Sequence, residues 1–198
     1  MDGGKISADE SRSRSGRRRA RSGWRWLLAT VALLAVIAAI GWPVYVRPQV
    51  DELRRADAIL VLGGQGDEAY TFGLEYALQG LTDHVVFSNP SGSDAIWLVD
   101  LCDHQRYSFT VTCLEPSPPT TRGEAQAFEQ LASSKGWRSV IVLTRTPHIS
   151  RARFIVQRCF DGDVMMGWAG TDHWPMEWAW SYVYQTLGYI RAALQSGC

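Results

Sequence analysis

A chain of 198 residues has room for one ordinary domain plus an extension, and its formal net charge of zero hides a division. Residues 1–25 carry eight basic side chains against three acidic ones; the remaining 173 carry twelve against seventeen. A basic excess confined to a short tail, directly before an apolar run, argues against nucleic acid as the partner.

The tail, SRSRSGRRRARSG, is rich in Ser, Gly and Arg and holds nothing apolar to bury, so residues 1–25 read as a disordered cytoplasmic segment. Residues 26–46 then run for twenty-one positions without a charge, enough for a helix to cross a hydrocarbon core. Trp24 and Trp26 mark one end and Trp42 and Tyr45 the other, as interfacial aromatics do. Seven arginines before the span, against Arg47, Arg54 and Arg55 after it, orient the N-terminus inward. The expectation is a single-pass plasma-membrane protein with an extracytoplasmic domain at residues 57–198. A cleaved signal peptide is the alternative. Its nearest small-x-small triplet, Ala39-Ile40-Gly41, is followed at once by bulky Trp42 and Pro43, which favours an uncleaved anchor. Residues 47–56 read as a juxtamembrane linker spanning at most about 35 Å.

Beyond the span the chain alternates strand and helix. Strands are predicted at Asp57–Leu62, His84–Ser88, Phe109–Leu114, Ser139–Thr144 and Asp163–Gly167, with helices near Glu68–Gln79, Ser93–Asp103, Thr121–Lys135, Pro147–Cys159 and Pro175–Gln195. Five alternations predict an α/β fold, a Rossmann-like parallel sheet with helices on both faces. Ligands in that architecture sit beyond the carboxyl ends of the strands.

Four cysteines, Cys102, Cys113, Cys159 and Cys198, all follow the span, as suits an oxidising compartment. Three pairings are possible. Cys102–Cys113, a short loop before a strand, and Cys159–Cys198, pinning the last helix, are preferred, with free buried thiols as the alternative. No CxxC and no His pair at ligand spacing occur, so no metal or other cofactor is expected.

Of the five strand-to-helix loops, four carry candidate groups. In the first, Gly63 and Gly64 open Gly63-Gly64-Gln65-Gly66, where Gly64-x-Gly66-x-x-Ala69 loosely matches a dinucleotide fingerprint. The second strand ends Phe87-Ser88-Asn89-Pro90 with no carboxylate before Asp94 to take a ribose, which weighs against a nicotinamide cofactor. A backbone cradle for some anion and a plain tight turn both remain. In the second loop Ser88 and Asn89 offer a hydroxyl and an amide, as ligand contacts or as turn residues; there is no GxSxG nucleophile elbow. In the third, Thr121 and Glu124 have capping-box spacing. Arg122 sits where the helix dipole favours acids, so it points to an anion shared with the backbone N–H groups.

The fourth loop, in SVIVLTRTPHISRAR, places Thr146 as a cap, Pro147 in the first helical position, and His148 and Arg151 three apart on one face. Imidazole and guanidinium at a helix start can bind an anion and move a proton. Local packing of His148 and a surface ion pair for Arg151 are the plainer alternatives.

Three stretches in order resemble the YdcF/SanA/ElyC-like family, a domain of unknown function. They are Ala56-Asp57-Ala58-Ile59-Leu60-Val61-Leu62-Gly63-Gly64, Thr121-Arg122-Gly123-Glu124-Ala125, and Thr144 through His148-x-x-Arg151-Ala152. The likeness covers about residues 56–168 and extends to the C-terminal helix. Where the family pattern has an arginine in the first helix after the glycines, this chain reads Glu68-Ala69-Tyr70-Thr71. The resemblance implies a Rossmann-like domain behind one membrane helix and a role in bacterial envelope integrity, for some members in lipid-carrier metabolism.

Two functions are then expected. In one the domain binds or processes a phosphorylated, lipid-linked or small-molecule envelope precursor: Gly63, Gly64, Thr121, Arg122 and Arg151 bind it, and His148 acts as acid or base with Glu124 assisting. In the other it is a non-catalytic interaction module. Three Trp and two Tyr between Trp174 and Tyr184 would seat it on a membrane interface or a partner, unless Trp178, Tyr182, Gln185 and Gly188 merely trace a helix packed on the sheet.

Overall fold

The protein is described by a computed structural model over residues 6–64, 67–104, 106–170 and 175–198, with side chains for 24–64, 68–104, 106–170 and 177–198. Gln65, Gly66 and the aromatic Trp174 lie outside these. The chain forms two units, Met1–Gly41 and Trp42–Cys198.

The first unit is one helix, α1 (Ile6–Gly41). The stretch Trp24–Val46, 23 residues whose most apolar eighteen have mean hydropathy 2.3, is long and apolar enough to cross a membrane. The helix runs back through residues 6–25, where the composition led us to expect no structure. Arginine is a good helix former, and adding turns to an existing helix needs no new nucleus.

The second unit opens with a turn of π-helix, Trp42–Val46, and an extended stretch to residue 57. That stretch is fastened down. Asp51 N–H donates to Met166 O (3.0 Å), and Met166 N–H donates to Asp51 Oδ2 (2.7 Å). Arg153 pairs with the same carboxylate at 2.8 Å and donates to Gln49 O at 3.0 Å.

The strands are β1 (Ala58–Val61), β2 (His84–Ser88), β3 (Thr110–Leu114), β4 (Ser139–Thr144) and β5 (Asp163–Trp168). They form one parallel sheet in the order β3-β2-β1-β4-β5, with Ile59 opposite both Val85 and Ile141. The helices are α2 (Asp67–Leu78), α3 (Ile96–Asp103), α4 (Thr121–Lys135), α5 (Ile149–Cys159) and α6 (Pro175–Leu194). Period-two alternation divides the sheet between two cores. Leu60, Leu62, Val140 and Val142 pack with Phe128 of α4 and Val156 of α5; Ile59, Val61, Ile141 and Phe87 pack with Ala69 of α2 and Leu98 of α3. This double coverage explains why the strands read as unbroken apolar runs.

Two stretches expected to be single helices are each split. Gly92–Asp94 forms a 3₁₀ turn before α3, broken at Ala95, whose φ −86° and ψ 67° are not helical. Thr146–His148 forms another before α5, and the position before it is Arg145, with no side-chain cap. Thr146 therefore does not cap the helix; its hydroxyl accepts from the Trp168 indole at 3.1 Å.

Both cysteine pairs are at disulfide distance. Cys102–Cys113 ties α3 to β3 (Cα–Cα 5.9 Å), and Cys159–Cys198 ties the end of α5 to residue 198 (Cα–Cα 4.7 Å).

Candidate functional site

In the order 3-2-1-4-5 the chain winds away from β1 in both directions, so the loops after β1 and β4 diverge and leave a crevice at the strand ends. Gly63 begins the first of these loops. A Cβ there would sit 2.2 Å from Pro90 Cδ and 2.8 Å from Ser88 O, so only glycine lets the β1 and β2 loops touch. Gly64 follows with φ +70°.

Gly63 N–H donates to Glu124 Oε1 at 2.6 Å. The capping box expected for Thr121 and Glu124 is not formed. The cap is Thr120, one residue earlier, whose Oγ1 accepts from Gly123 N–H at 3.2 Å. Gly123 lies so close to the Pro118 carbonyl that a Cβ would fall 2.0 Å from it. The tight entry turns Glu124 inward, 4 % exposed, across to the glycine loop. Burial raises its carboxyl above the ordinary value, and the Ser88 hydroxyl, the Gly63 N–H and the Arg151 charge only partly offset this.

His148 closes the other side. It is 4 % exposed, with Nδ1 2.9 Å from Thr144 Oγ1 and Nε2 3.3 Å from Thr121 Oγ1. Desolvation, then the charges of Arg151 and Arg145, hold the imidazole well below its usual pKa. It is a neutral ring at physiological pH.

Arg151 occupies the space between these elements and α6. Its Nε donates to Gln185 Oε1 at 2.7 Å, and its guanidinium lies 5.7 Å from the Tyr184 ring centroid. Gly188 gives it room: a Cβ there would meet Nη1 at 3.0 Å and Cζ at 3.2 Å. Burial lowers the Arg151 pKa, opposed by Tyr184 and Glu124, without removing its charge.

These groups line a cleft of about 980 Å³ at the carboxyl edge of the sheet. Arg122, Arg145, Arg151 and Arg191 all reach it, and Glu124 is the only acid among its described lining residues. Such a surface suits a polyanion. Gly63, Gly64, Thr121, Arg122, Glu124, His148 and Arg151 are thus brought together, as their positions in separate loops led us to expect.

Of the expected set, Asn89 and Arg122 have other partners, and Ser88 stands apart from the cleft. The Ser88 hydroxyl is buried beside Glu124 without full hydrogen-bond geometry to any group. Asn89 is buried and donates to Gly92 O at 2.8 Å, shaping its own turn; neither residue lines the cleft. Arg122 donates to Ser196 O at 3.2 Å and to Cys198 O, so its guanidinium is partly used in holding residues 196–198.

Arg145, Tyr184, Gln185, Gly188 and Arg191 were not expected in the site. Their signal was present in α6: Tyr184, Gln185, Gly188 and Arg191 share one helical face, and an amide set among aromatic and aliphatic neighbours calls for a polar partner. Among the described residues, no group of three or more His, Cys, Asp or Glu converges as metal ligands would. Comparison with protein-family models, with curated proteins and with solved structures gives no match.

Proposed function

We propose that this chain is a member of the YdcF/SanA/ElyC-like family whose domain binds, and through His148 and Glu124 processes, a phosphorylated envelope precursor presented at a membrane. The observation that carries this reading is the desolvated Arg151 cation, placed between a neutral imidazole and a single buried carboxyl in a cleft with three further arginines. Arg151 and Arg145 neutralise phosphate oxygens, and Gly63 and Gly64 allow close backbone approach. Neutral His148 accepts a proton from an attacking hydroxyl or water, and Glu124, its pKa raised, supplies one to a leaving oxygen.

The apolar span with seven arginines before it fits a single-pass anchor with the N-terminus in the cytoplasm. Two cysteine pairs at bonding distance fit an oxidising compartment outside.

One observation favours the non-catalytic alternative. Both ring nitrogens of His148 face threonine hydroxyls, which suits a histidine that shapes the site without transferring protons. Titration of the purified full chain with pyrophosphate and with a short isoprenyl diphosphate, followed by calorimetry and ³¹P NMR, tests both readings. Binding that Arg151→Ala weakens tenfold or more (about 1.4 kcal/mol), with phosphate release abolished in His148→Gln, supports the enzyme. Binding without release at any pH supports the module. No binding of either ligand refutes the anion site.

A further inference from the structure

Helix α6 is apolar on two sides, and the domain covers only one of them. Tyr182, Gln185, Tyr189 and Ala192 face inward: Gln185 and Ala192 are buried and Tyr189 donates to Ser150 O at 3.0 Å. On the outer side Trp180, Val183, Leu187, Ile190 and Leu194 follow one another at spacings of three and four and form a single stripe. Each is between 51 % and 82 % exposed. Over that length of helix, about 21 Å at 1.5 Å per residue, Arg191 and Thr186 are the polar interruptions among exposed positions. An exposed apolar stripe of that length is one that something else covers.

The chain itself indicates what covers it. The last five residues of the apolar span, Trp42–Val46, are packed on α6 and its neighbour α5. The Tyr45 ring meets Tyr182 edge-on at 5.0 Å between centroids, and its hydroxyl lies 2.9 Å from Thr186 Oγ1. Ser150 Oγ of α5 donates to Val44 O at 2.8 Å. The end of the span and the outer stripe thus adjoin, because Thr186 is three residues from Val183 and four from Ile190 and so lies beside both on the helix surface. Exposed Arg47 and Arg191 are available to lipid phosphates at that surface, and Trp180 and Tyr184 are side chains of the kind that settle at headgroup level.

We propose that α6 is an interfacial helix, lying in the membrane plane with the stripe from Trp180 to Leu194 sunk into the headgroup–acyl boundary. The occupant of the stripe is lipid, not a second protein. Leu187 and Trp180 also border the cleft, so the arginine-lined site opens at headgroup level.

The test uses the full chain reconstituted in nanodiscs containing anionic lipid, with both native cysteine pairs left oxidised. Nitroxide labels are placed singly by Val183→Cys, Leu187→Cys, Ile190→Cys and Leu194→Cys, and by Lys135→Cys on exposed α4 as a water-facing reference. Power saturation should show high oxygen and low nickel-chelate accessibility at all four stripe positions, and the reverse at the reference. Labels at the stripe as open to the nickel chelate as the reference overturn the proposal. So does spin–spin broadening that disappears on dilution with unlabelled protein, the mark of a dimer seam along the stripe. A chain carrying Leu187→Glu and Ile190→Glu, both exposed positions, should keep its near-ultraviolet circular dichroism and become open to nickel at a label on residue 194. Unchanged accessibility in that chain also overturns it.

Discussion

The Gly63–Glu124 contact makes a prediction whose sign and size follow from the geometry. Glu124→Gln keeps an amide oxygen for the Gly63 N–H, 2.6 Å away in the native chain, and removes the ionisation. Glu124→Ala removes the acceptor as well. Loss of a buried hydrogen bond, with the donor deprived of its acceptor, costs about 2 kcal/mol. For a domain of this length that lowers Tm by about 4–8 °C. The pH dependence separates the variants further. Burial raises the Glu124 pKa, so between its ordinary value of 4.5 and the raised one the folded protein keeps a proton that the unfolded chain has released. Wild-type stability therefore falls as pH rises through that window, by at most about 1.4 kcal/mol per pH unit. It is flat above the window. Glu124→Gln has no such slope, so its advantage over wild type grows across the window and then stays constant. Urea titrations in detergent from pH 4 to pH 8, followed by circular dichroism, measure this directly. Parallel curves for wild type and Glu124→Gln would refute the claim that Glu124 is a desolvated, titrating carboxyl.

His148 has the opposite slope: its pKa is far below 6.5, so its contribution is complete above pH 6.5 and is lost as pH falls toward the folded value. His148→Gln should remove that acid-side loss, and the same urea titrations will show it. Gly188→Ala sets a methyl 3.0 Å from Arg151 Nη1 and should displace the guanidinium. Weaker pyrophosphate binding by about tenfold (1.4 kcal/mol), with little change in Tm, is the calorimetric signature. Removing the Cys159–Cys198 bridge, which closes 39 residues, should cost about 4 kcal/mol against about 3 for Cys102–Cys113, which closes 11. Thermal melts of the paired serine variants would give that order; the reverse order would contradict loop closure as the source.

The strands were legible because their signal is local. Runs such as Val140-Ile141-Val142-Leu143 have no polar face, and that can only mean cover on both sides. The loops holding Gly63, Glu124 and His148 were legible as a group, since every parallel strand delivers its loop to the same edge. Residue roles inside the loops were less so. Thr120 and Thr121 are equally good caps on paper, and the choice between them depends on how closely Gly123 approaches Pro118, a contact between backbones that no side-chain pattern encodes. Asn89 offered an amide to a ligand and gave it to Gly92 instead, the local competition that short polar side chains enter. Arg151 was visible, but its environment was not. Gln185 and Gly188 lie more than thirty residues further on, and only the packing of α6 on α5 makes them its partners.

The fastening of residues 47–56 makes them part of the second unit's fold and not a linker. A free leash of that length would let the domain roam through a hemisphere about 35 Å deep. Asp51 and Arg153 take up the slack: the stretch is stitched to β5 and α5, and the turn before it to α6. From Trp42 onward the chain is thus part of the folded domain and not a leash. Lengthening residues 47–56 would undo those contacts before it added any slack. An insertion there is therefore felt at β5 and α5 as lost stability, where in a true linker it would pass unnoticed.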